Sequence, residues 1–307
     1  MKAVWFERQG RPEVLELRDV PEPVPAEGEV LVDVEAVGVN YRDVYERERE
    51  GYGTDAPGIL GAEAGGTTAD GERLAWSRVP RGYAERVAVP RDETVPIPDG
   101  VATDLAVAAL LQGMTAHYLA HDSYPIEAGD RVVVHAAAGG VGNLLVQIAK
   151  LRDAYVVATA STEEKRALAR DAGADEVLSY EEFADRAADL DVAAVYDGVG
   201  RTTFAAGLDA LRPTGRMILY GAASGEPDAV EPRVLMAKGS LYLQRPTLAT
   251  YTRTPELHCE RAAALFDLIA RGALDVRIGA RYPLAEARRA HEALEARRTV
   301  GKLLLVP

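Results

Sequence analysis

The stretch from Arg131 to Leu151 constrains this chain more than any other. Arg131-Val-Val-Val-His-Ala136 is an apolar run and Ala137-Ala-Gly-Gly-Val-Gly142 a glycine-rich turn, after which Leu144, Leu145, Ile148 and Leu151 recur at the spacing of one helix face. Three consecutive valines favour a strand buried on both faces, so the stretch reads strand, tight turn, helix. Glycines let backbone approach a ligand closely, and the N–H groups and dipole of the new helix then face that ligand. A dinucleotide pyrophosphate is what such a turn usually holds. Against the fingerprint Gly-x-Gly-x-x-Gly, Ala137 stands in the first place, with Gly139 and Gly142 in the second and third. A glycine-rich turn without a ligand is the alternative. A second strand from Ala154 to Thr159 and a helix beginning near Thr162 complete a βαβ unit, which favours the nucleotide.

A length of 307 residues exceeds the usual single domain, so two domains are expected. With 48% apolar and 27% charged residues, the composition is that of a folded globular protein and leaves no case for disorder. No apolar run is long enough to span a bilayer, and Met1 to Gly10, broken by Lys2, Glu7 and Arg8, lacks the apolar core of a signal peptide. A cytoplasmic protein with no membrane partner is expected. A formal charge of −13 without a compact basic cluster argues against nucleic acid. The single cysteine, Cys259, excludes an intramolecular disulfide and any multi-cysteine zinc site, and reads as a packing residue within a helix.

Residues Lys2 to Val89 are rich in β-branched residues, glycine and proline, with strand alternation at Val30, Val32 and Val34 and again at Ala84, Val87 and Val89. A β-rich first domain follows. Tyr41 to Glu50 differs: it reads as a short exposed helix or loop whose charges form a solvated face. A helical pattern covers Ala102 to His121. From Arg131 to about Gly225 strands alternate with helices, with candidates at Val132, Val156, Val192 to Tyr196 and Met217 to Tyr220, which predicts a parallel, doubly wound sheet. Gly239 to Leu243 supplies another strand. A helix is expected from Pro255 to Arg271, with Thr254 as N-cap, Gly272 beyond its end and Leu257, Leu265, Leu268 and Ile269 on its buried side. A last helix near Leu284 to Arg297 leads into the apolar strand Gly301 to Val306, expected to return to the first domain.

Six segments together resemble the NADPH:quinone oxidoreductase (zeta-crystallin-like) family of the medium-chain dehydrogenase/reductase superfamily. They are Val37-Gly-Val-Asn-Tyr-Arg-Asp43, Gly61-Ala-Glu-Ala-Gly-Gly66, Leu111-Gln-Gly-Met-Thr-Ala-His-Tyr-Leu119, His135-Ala-Ala-Ala-Gly-Gly-Val-Gly142, Val195-Tyr-Asp-Gly-Val-Gly200 and Gly239-Ser-Leu-Tyr242. The resemblance implies an α/β protein: a GroES-like β-rich catalytic domain over residues 1–110, completed by 250–307, and a Rossmann NADPH-binding domain over 111–249. It also implies an active cleft between them and a homodimer joined through the Rossmann sheets. One departure is a connection between Gly66 and Leu74 shorter than in relatives, which bears on the substrate mouth.

Zinc-dependent relatives carry cysteine where Asn40 stands and histidine where Ala62 stands. With both ligands missing and the five histidines scattered, no metal site is expected. Without a metal to polarise an alcohol, the cofactor must deliver hydride to an acceptor that is already electrophilic, and a quinone or other conjugated carbonyl fits. By resemblance Asn40, Tyr45 and Tyr52 line the nicotinamide end, joined by Thr115. Asn40 would hydrogen-bond a quinone or the cofactor's carboxamide. Either tyrosine would donate to a developing oxyanion, stack, or merely wall the pocket.

NAD-specific sites place an acidic residue at the end of the second strand to bind the ribose hydroxyls. Here that place is Ala160, followed by Ser161, Lys165 and Tyr180, a set that suits a 2′-phosphate and hence NADPH. Ser161-x-x-Glu164 reads equally as a capping box and Lys165 as a solvated helix lysine. The resemblance adds Arg297. Gly139, Gly140, Val141 and Gly142 belong to the pyrophosphate turn, and Gly198, Val199, Gly221 and Ala222 sit at later strand ends that expose backbone to the cofactor. The rival readings are an enoyl or alkenal reductase on the same scaffold and a non-catalytic NADPH-binding protein.

Overall fold

A computed structural model describes residues 1–49 and 53–307. The chain forms two compact units, Met1–Leu111 with Thr252–Pro307, and Gln112–Tyr251. The first unit opens with β1 (Lys2–Phe6), β2 (Leu15–Asp19), β3 (Glu29–Val39), α1 (Tyr41–Glu48), β4 (Gly58–Ile59), β5 (Glu63–Thr68), β6 (Arg73–Trp76), β7 (Arg86–Pro90) and β8 (Val95–Pro96). Helix α2 (Thr103–Tyr118) continues into a π-helical turn, Leu119–Ser123. The second unit runs β9 (Arg131–Val134), α3 (Gly140–Leu151), β10 (Tyr155–Thr159), α4 (Glu163–Asp171), β11 (Glu176–Leu178), α5 (Tyr180–Arg186), β12 (Val192–Asp197), α6 (Phe204–Asp209), β13 (Leu211–Leu219), α7 (Pro232–Ala237), β14 (Tyr242–Gln244) and α8 (Leu248–Tyr251). The chain then returns with α9 (Pro255–Ala270), β15 (Ile278–Pro283), α10 (Ala287–Glu295) and β16 (Lys302–Val306).

In the second unit the strands pair parallel in the order β11-β10-β9-β12-β13-β14. Numbered from β9, this is 3-2-1-4-5-6, the dinucleotide-binding order. The three valines of β9 and all of β12 are buried, as a sheet covered on both faces requires. Leu144, Leu145 and Ile148 bury one face of α3, while Leu151, the last helical residue, is 51% exposed. The strand expected from Gly239 begins only at Tyr242, because Gly239 and Ser240 turn with φ of 100° and 58°.

The first unit is built on a seven-stranded sheet in which β16 lies between β15 and β3, antiparallel to β3. The strand from Gly301 thus returns as expected. Its core joins Val32, Val34, Val37, Trp76 and Val87 to Leu284, Leu303 and Leu305. Thr254 caps α9, its hydroxyl accepting from the Leu257 N–H at 3.3 Å, and Gly272 follows with φ 71°. Leu265 and Ile269 are buried there, and Cys259 lies on the same helix, half-buried.

Candidate functional site

In a doubly wound sheet the ligand lies beyond the carboxyl ends of the strands at the point where their order reverses. Here that point falls between β9 and β12. After β9 the chain passes His135 and Ala136, the latter at φ 52°, and enters α3 with Gly139 as N-cap and no side chain bonded to the first-turn N–H groups. The three glycines differ in their reasons. A Cβ on Gly142 would overlap the Ala136 carbonyl oxygen, so this glycine lets helix and strand pack closely. A Cβ on Gly140 would overlap the side-chain carboxamide of Gln112. Gly139 has an ordinary φ of −80°, and its Cβ would meet a single atom, the Ala136 oxygen at 3.1 Å. Its missing side chain therefore leaves open a cradle over bare N–H groups, which is what a pyrophosphate needs.

Two strand ends frame this cradle. Asp197, fully buried at the end of β12, accepts from the Val199 and Gly200 N–H groups at 2.7 and 3.0 Å and from the Thr203 hydroxyl at 2.8 Å. The loop carrying Gly198 and Val199 is thereby fixed. Ser224 clamps the same loop, its backbone N–H and hydroxyl donating to the Val199 oxygen at 2.7 and 2.8 Å. Gly221 follows β13 against Gly198, where a Cβ would sit 2.7 Å from the Gly198 oxygen, and Ala222 is buried beside it. Sequence reasoning missed Asp197. Its signal was an aspartate closing an apolar strand directly before Gly198-Val-Gly200.

At the end of β10 stands Ala160, buried and without a carboxylate to offer. Helix α4 is capped by Thr162, whose hydroxyl accepts from the Lys165 N–H at 3.3 Å. The capping box expected at Ser161 does not form: Thr162, in the extended N-cap conformation, caps the helix alone, and the Ser161 side chain is not consumed as a cap. Lys165 lies in the first turn of α4. Tyr180 opens α5 rather than ending β11, since Ser179 and Glu182 form the capping box there. Its ring lies 6.2 Å from that of His135. His135 is buried, which lowers its pKa and keeps it neutral; its Nδ1 meets the Thr159 hydroxyl at 2.8 Å and its Nε2 has no partner among the described residues. Thr115 is buried on α2.

Asn40, Tyr45 and Arg297 belong to the first unit, and Tyr52 lies outside the described residues. Here an expectation fails: the charges of α1 are not a solvated face. Asp43, Glu46 and Arg47 are buried, because Asp43 and Arg47 enter a polar network spanning α1, the β5–β7 region and α10, while Glu46 accepts from Arg42 one turn back in the same helix. Asp43 Oδ2 accepts from the Asn40 N–H at 2.8 Å and from the Tyr83 hydroxyl at 3.0 Å. Tyr83 Oη lies 3.0 Å from His291 Nε2, and Arg47 Nη1 lies 2.9 Å from His291 Nδ1 and 2.6 Å from Glu295 Oε1. A guanidinium only donates, so Nδ1 is an acceptor and the neutral ring carries its proton on Nε2. Every bond in the chain then points one way, from Arg47 through His291 and Tyr83 to Asp43. Burial first and the Arg47 charge second bring His291 down to about 3, so the ring stays neutral. Burial, reinforced by Glu46, pushes the Asp43 carboxyl up to about 7, and its Oδ1 has no partner among the described residues.

Beside this network Glu63 and Lys302 form a buried ion pair, 0% and 1% exposed. Lys302 Nζ also donates to Asn40 Oδ1 at 2.7 Å. Asn40 Nδ2 donates to Glu63 Oε2 at 2.9 Å and the Gly38 oxygen at 3.2 Å, while Glu63 Oε1 accepts from the Leu111 N–H at 2.6 Å. Glu63 and Lys302 were not foreseen as neighbours of Asn40. A charged residue opening an otherwise apolar strand was the available hint. Tyr45 stands edge-on to Tyr41, ring centres 5.4 Å apart, with the Arg49 guanidinium over its ring. Burial raises the Tyr41 pKa, and the nearby Arg297 charge opposes the rise. Among the described residues no group of three or more histidine, cysteine, aspartate or glutamate side chains has the geometry to hold a metal ion. Nor is any described helix long and apolar enough to cross a membrane.

A family model described as zinc-binding dehydrogenase matches residues 140–258, a span that contains neither Asn40 nor Ala62. The quinone oxidoreductase of Pseudomonas aeruginosa is 38% identical, the alignment covering 100% of this chain and 99% of that protein. The Escherichia coli quinone oxidoreductase, solved in complex with NADPH, superposes with a TM-score of 0.96 at 35% identity over 100% of both chains. The 2-haloacrylate reductase of a Burkholderia species is 32% identical across 99% of this chain and 98% of its own. With identity at this level over the full length and superposition of the whole chain, the protein belongs to the quinone oxidoreductase family of the medium-chain dehydrogenase/reductase superfamily.

Proposed function

We propose that this protein is an NADPH:quinone oxidoreductase that works without a metal. The observation that carries the reading is the open cradle at Gly139, set at the reversal of strand order and followed by Ala160 in the place of an acidic residue. When bound, NADPH supplies a hydride to an acceptor that is already electrophilic. Gly139, Gly140, Val141 and Gly142 offer N–H groups to the pyrophosphate, Ser161 and Lys165 bind the 2′-phosphate, and Tyr180 and Arg297 support it. Gly198, Val199, Gly221 and Ala222 give the backbone wall that Asp197 holds in place. The second unit is the Rossmann domain and the first the GroES-like catalytic domain; Tyr45 and Thr115, with Tyr52 outside the described residues, are assigned to the substrate by the family resemblance.

The hydrogen bonds of Asn40 narrow its role. Both Nδ2 hydrogens are committed to Glu63 and Gly38, and Lys302 takes one lone pair of Oδ1. No donor is left for a quinone oxygen; Oδ1, which the α1 capping box also sets toward the Asp43 N–H, is an acceptor and suits a carboxamide N–H. Asn40 thus orients the nicotinamide, and the quinone is placed by shape and stacking. The reading includes a cytoplasmic homodimer joined along β14, for which the exposed Tyr242 and Leu243 of that edge strand speak.

The 2-haloacrylate reductase relative supplies the second reading, reduction of a conjugated carbon–carbon double bond, which additionally needs a proton donor to carbon. One panel separates the two: steady-state kcat/KM with NADPH for 1,4-naphthoquinone, 9,10-phenanthrenequinone, 2-alkenals and 2-chloroacrylate, with and without a chelator. Quinones are expected to give the highest values, unchanged by the chelator. Turnover confined to the alkenals or the haloacrylate would replace the first reading by the second, and no turnover at all would leave a cofactor-binding protein.

A further inference from the structure

Gln112 is the first residue of the second unit, and its half-buried side chain reaches the start of α3. The three atoms nearest to a Cβ built on Gly140 are its Oε1, Cδ and Nε2, so the carboxamide lies flat against the Gly140 Cα. Glycine at that position makes room for this amide: alanine there would displace it. Yet the amide does nothing for the helix, since α3 has no side-chain cap. Among the described residues neither its oxygen nor its nitrogen takes part in a hydrogen bond. An amide with no protein partner thus stands at an uncapped helix N-terminus, where its donor is available to a bound anion.

We infer that Gln112 is a further cofactor-binding residue, whose Nε2 donates to a pyrophosphate oxygen of the dinucleotide. This rests on the NADPH reading above. Because the pyrophosphate is common to NADPH and NADH, Gln112 strengthens both alike, in contrast to a group that reads the 2′-phosphate. Binding is the direct readout, by titration of the reduced cofactors' fluorescence with no acceptor present. Gln112→Met keeps the length of the side chain over Gly140 and removes its donor; it is expected to weaken NADPH and NADH by the same factor, roughly tenfold or more, as loss of a hydrogen bond to a charged group implies. Affinity for adenosine 2′-monophosphate, which has no pyrophosphate, should not change. Gln112→Glu, isosteric but anionic, should weaken both dinucleotides further, most at low salt. Wild-type affinity in Gln112→Met would overturn the inference, and so would a matching loss of adenosine 2′-monophosphate, which marks a distorted fold. A wild-type protein that binds neither dinucleotide would instead overturn the cofactor reading itself.

Discussion

Ala160 ends β10 with a methyl group where an NAD-specific protein keeps a carboxylate. At Ala160 itself there is no carboxylate to hold the ribose hydroxyls or repel a 2′-phosphate, and Lys165 follows in the first turn of α4, beside Glu163, which is paired with Arg166 and Arg170, and Glu164. Lys165→Ala leaves the backbone N–H that Thr162 caps, so the helix start survives the change. A hydrogen bond to a charged group is worth about 1.5–3 kcal/mol, and the substitution should raise the KM for NADPH roughly 10- to 150-fold. The KM for NADH should hardly move, and added salt should erode the wild type's NADPH preference. Parallel kcat/KM measurements with one fixed quinone decide it: equal losses for the two cofactors would reduce Lys165 to a residue of the helix.

Helix α1 shows what an element conceals when read alone. Its eight residues, Tyr41 to Glu48, include Arg42, Asp43, Glu46, Arg47 and Glu48, and charge at that density argues for water. Glu46 pairs within the helix with Arg42, but the partners of the other two buried charges, Tyr83 for Asp43 and His291 and Glu295 for Arg47, lie tens to hundreds of positions away, beyond the reach of any local periodicity. By contrast β9, the glycine turn and α3 were legible because strand, turn and helix each leave a signature within a few residues, and Gly139 and Gly142 fell where the fingerprint places them. The buried Asp43 has a consequence for pH. Its carboxyl rises from 3.8 to about 7 on folding. Between those values the unfolded chain has lost the proton and the folded chain keeps it, so stability falls as pH rises through this window and levels off above about 7. Asp43→Asn removes that dependence. Denaturant midpoints should show the mutant gaining on the wild type from pH 5 to pH 8, by an amount on the order of a few kcal/mol. A constant difference across that range would mean that Asp43 ionises normally in the folded protein.

For the whole molecule the outer edge of the parallel sheet sets an expectation. Among the described residues strand β14 pairs only with β13, and Tyr242 and Leu243 are 58% and 37% exposed, with Met236 on α7 at 70%. An apolar edge of this kind is normally paired or covered, and a second copy can cover it with the same strand about a two-fold axis. Light scattering at micromolar concentration should give twice the 32.9 kDa chain mass, and Leu243→Lys should lower it toward one. A monomeric wild type would end the argument. The edge was visible in Gly239-Ser-Leu-Tyr-Leu243, whereas its start, set by the turn at Gly239 and Ser240, was not.

The place of β16 carries a consequence for how the protein is made. The first unit is interrupted in sequence by the whole of the second, and β16, wedged between β15 and β3, brings the Lys302 ammonium to Glu63 and Asn40. A ribosome finishes every residue of the second unit before it begins β15. During that interval the inner unit already possesses all of its sheet, while the end of β3 from Val37 to Val39 waits for β16 and Glu63 for its counter-ion. The nascent chain therefore matures from the middle outward, and its stickiest moment comes late, when a half-built sheet is the part that still needs a chaperone's shelter.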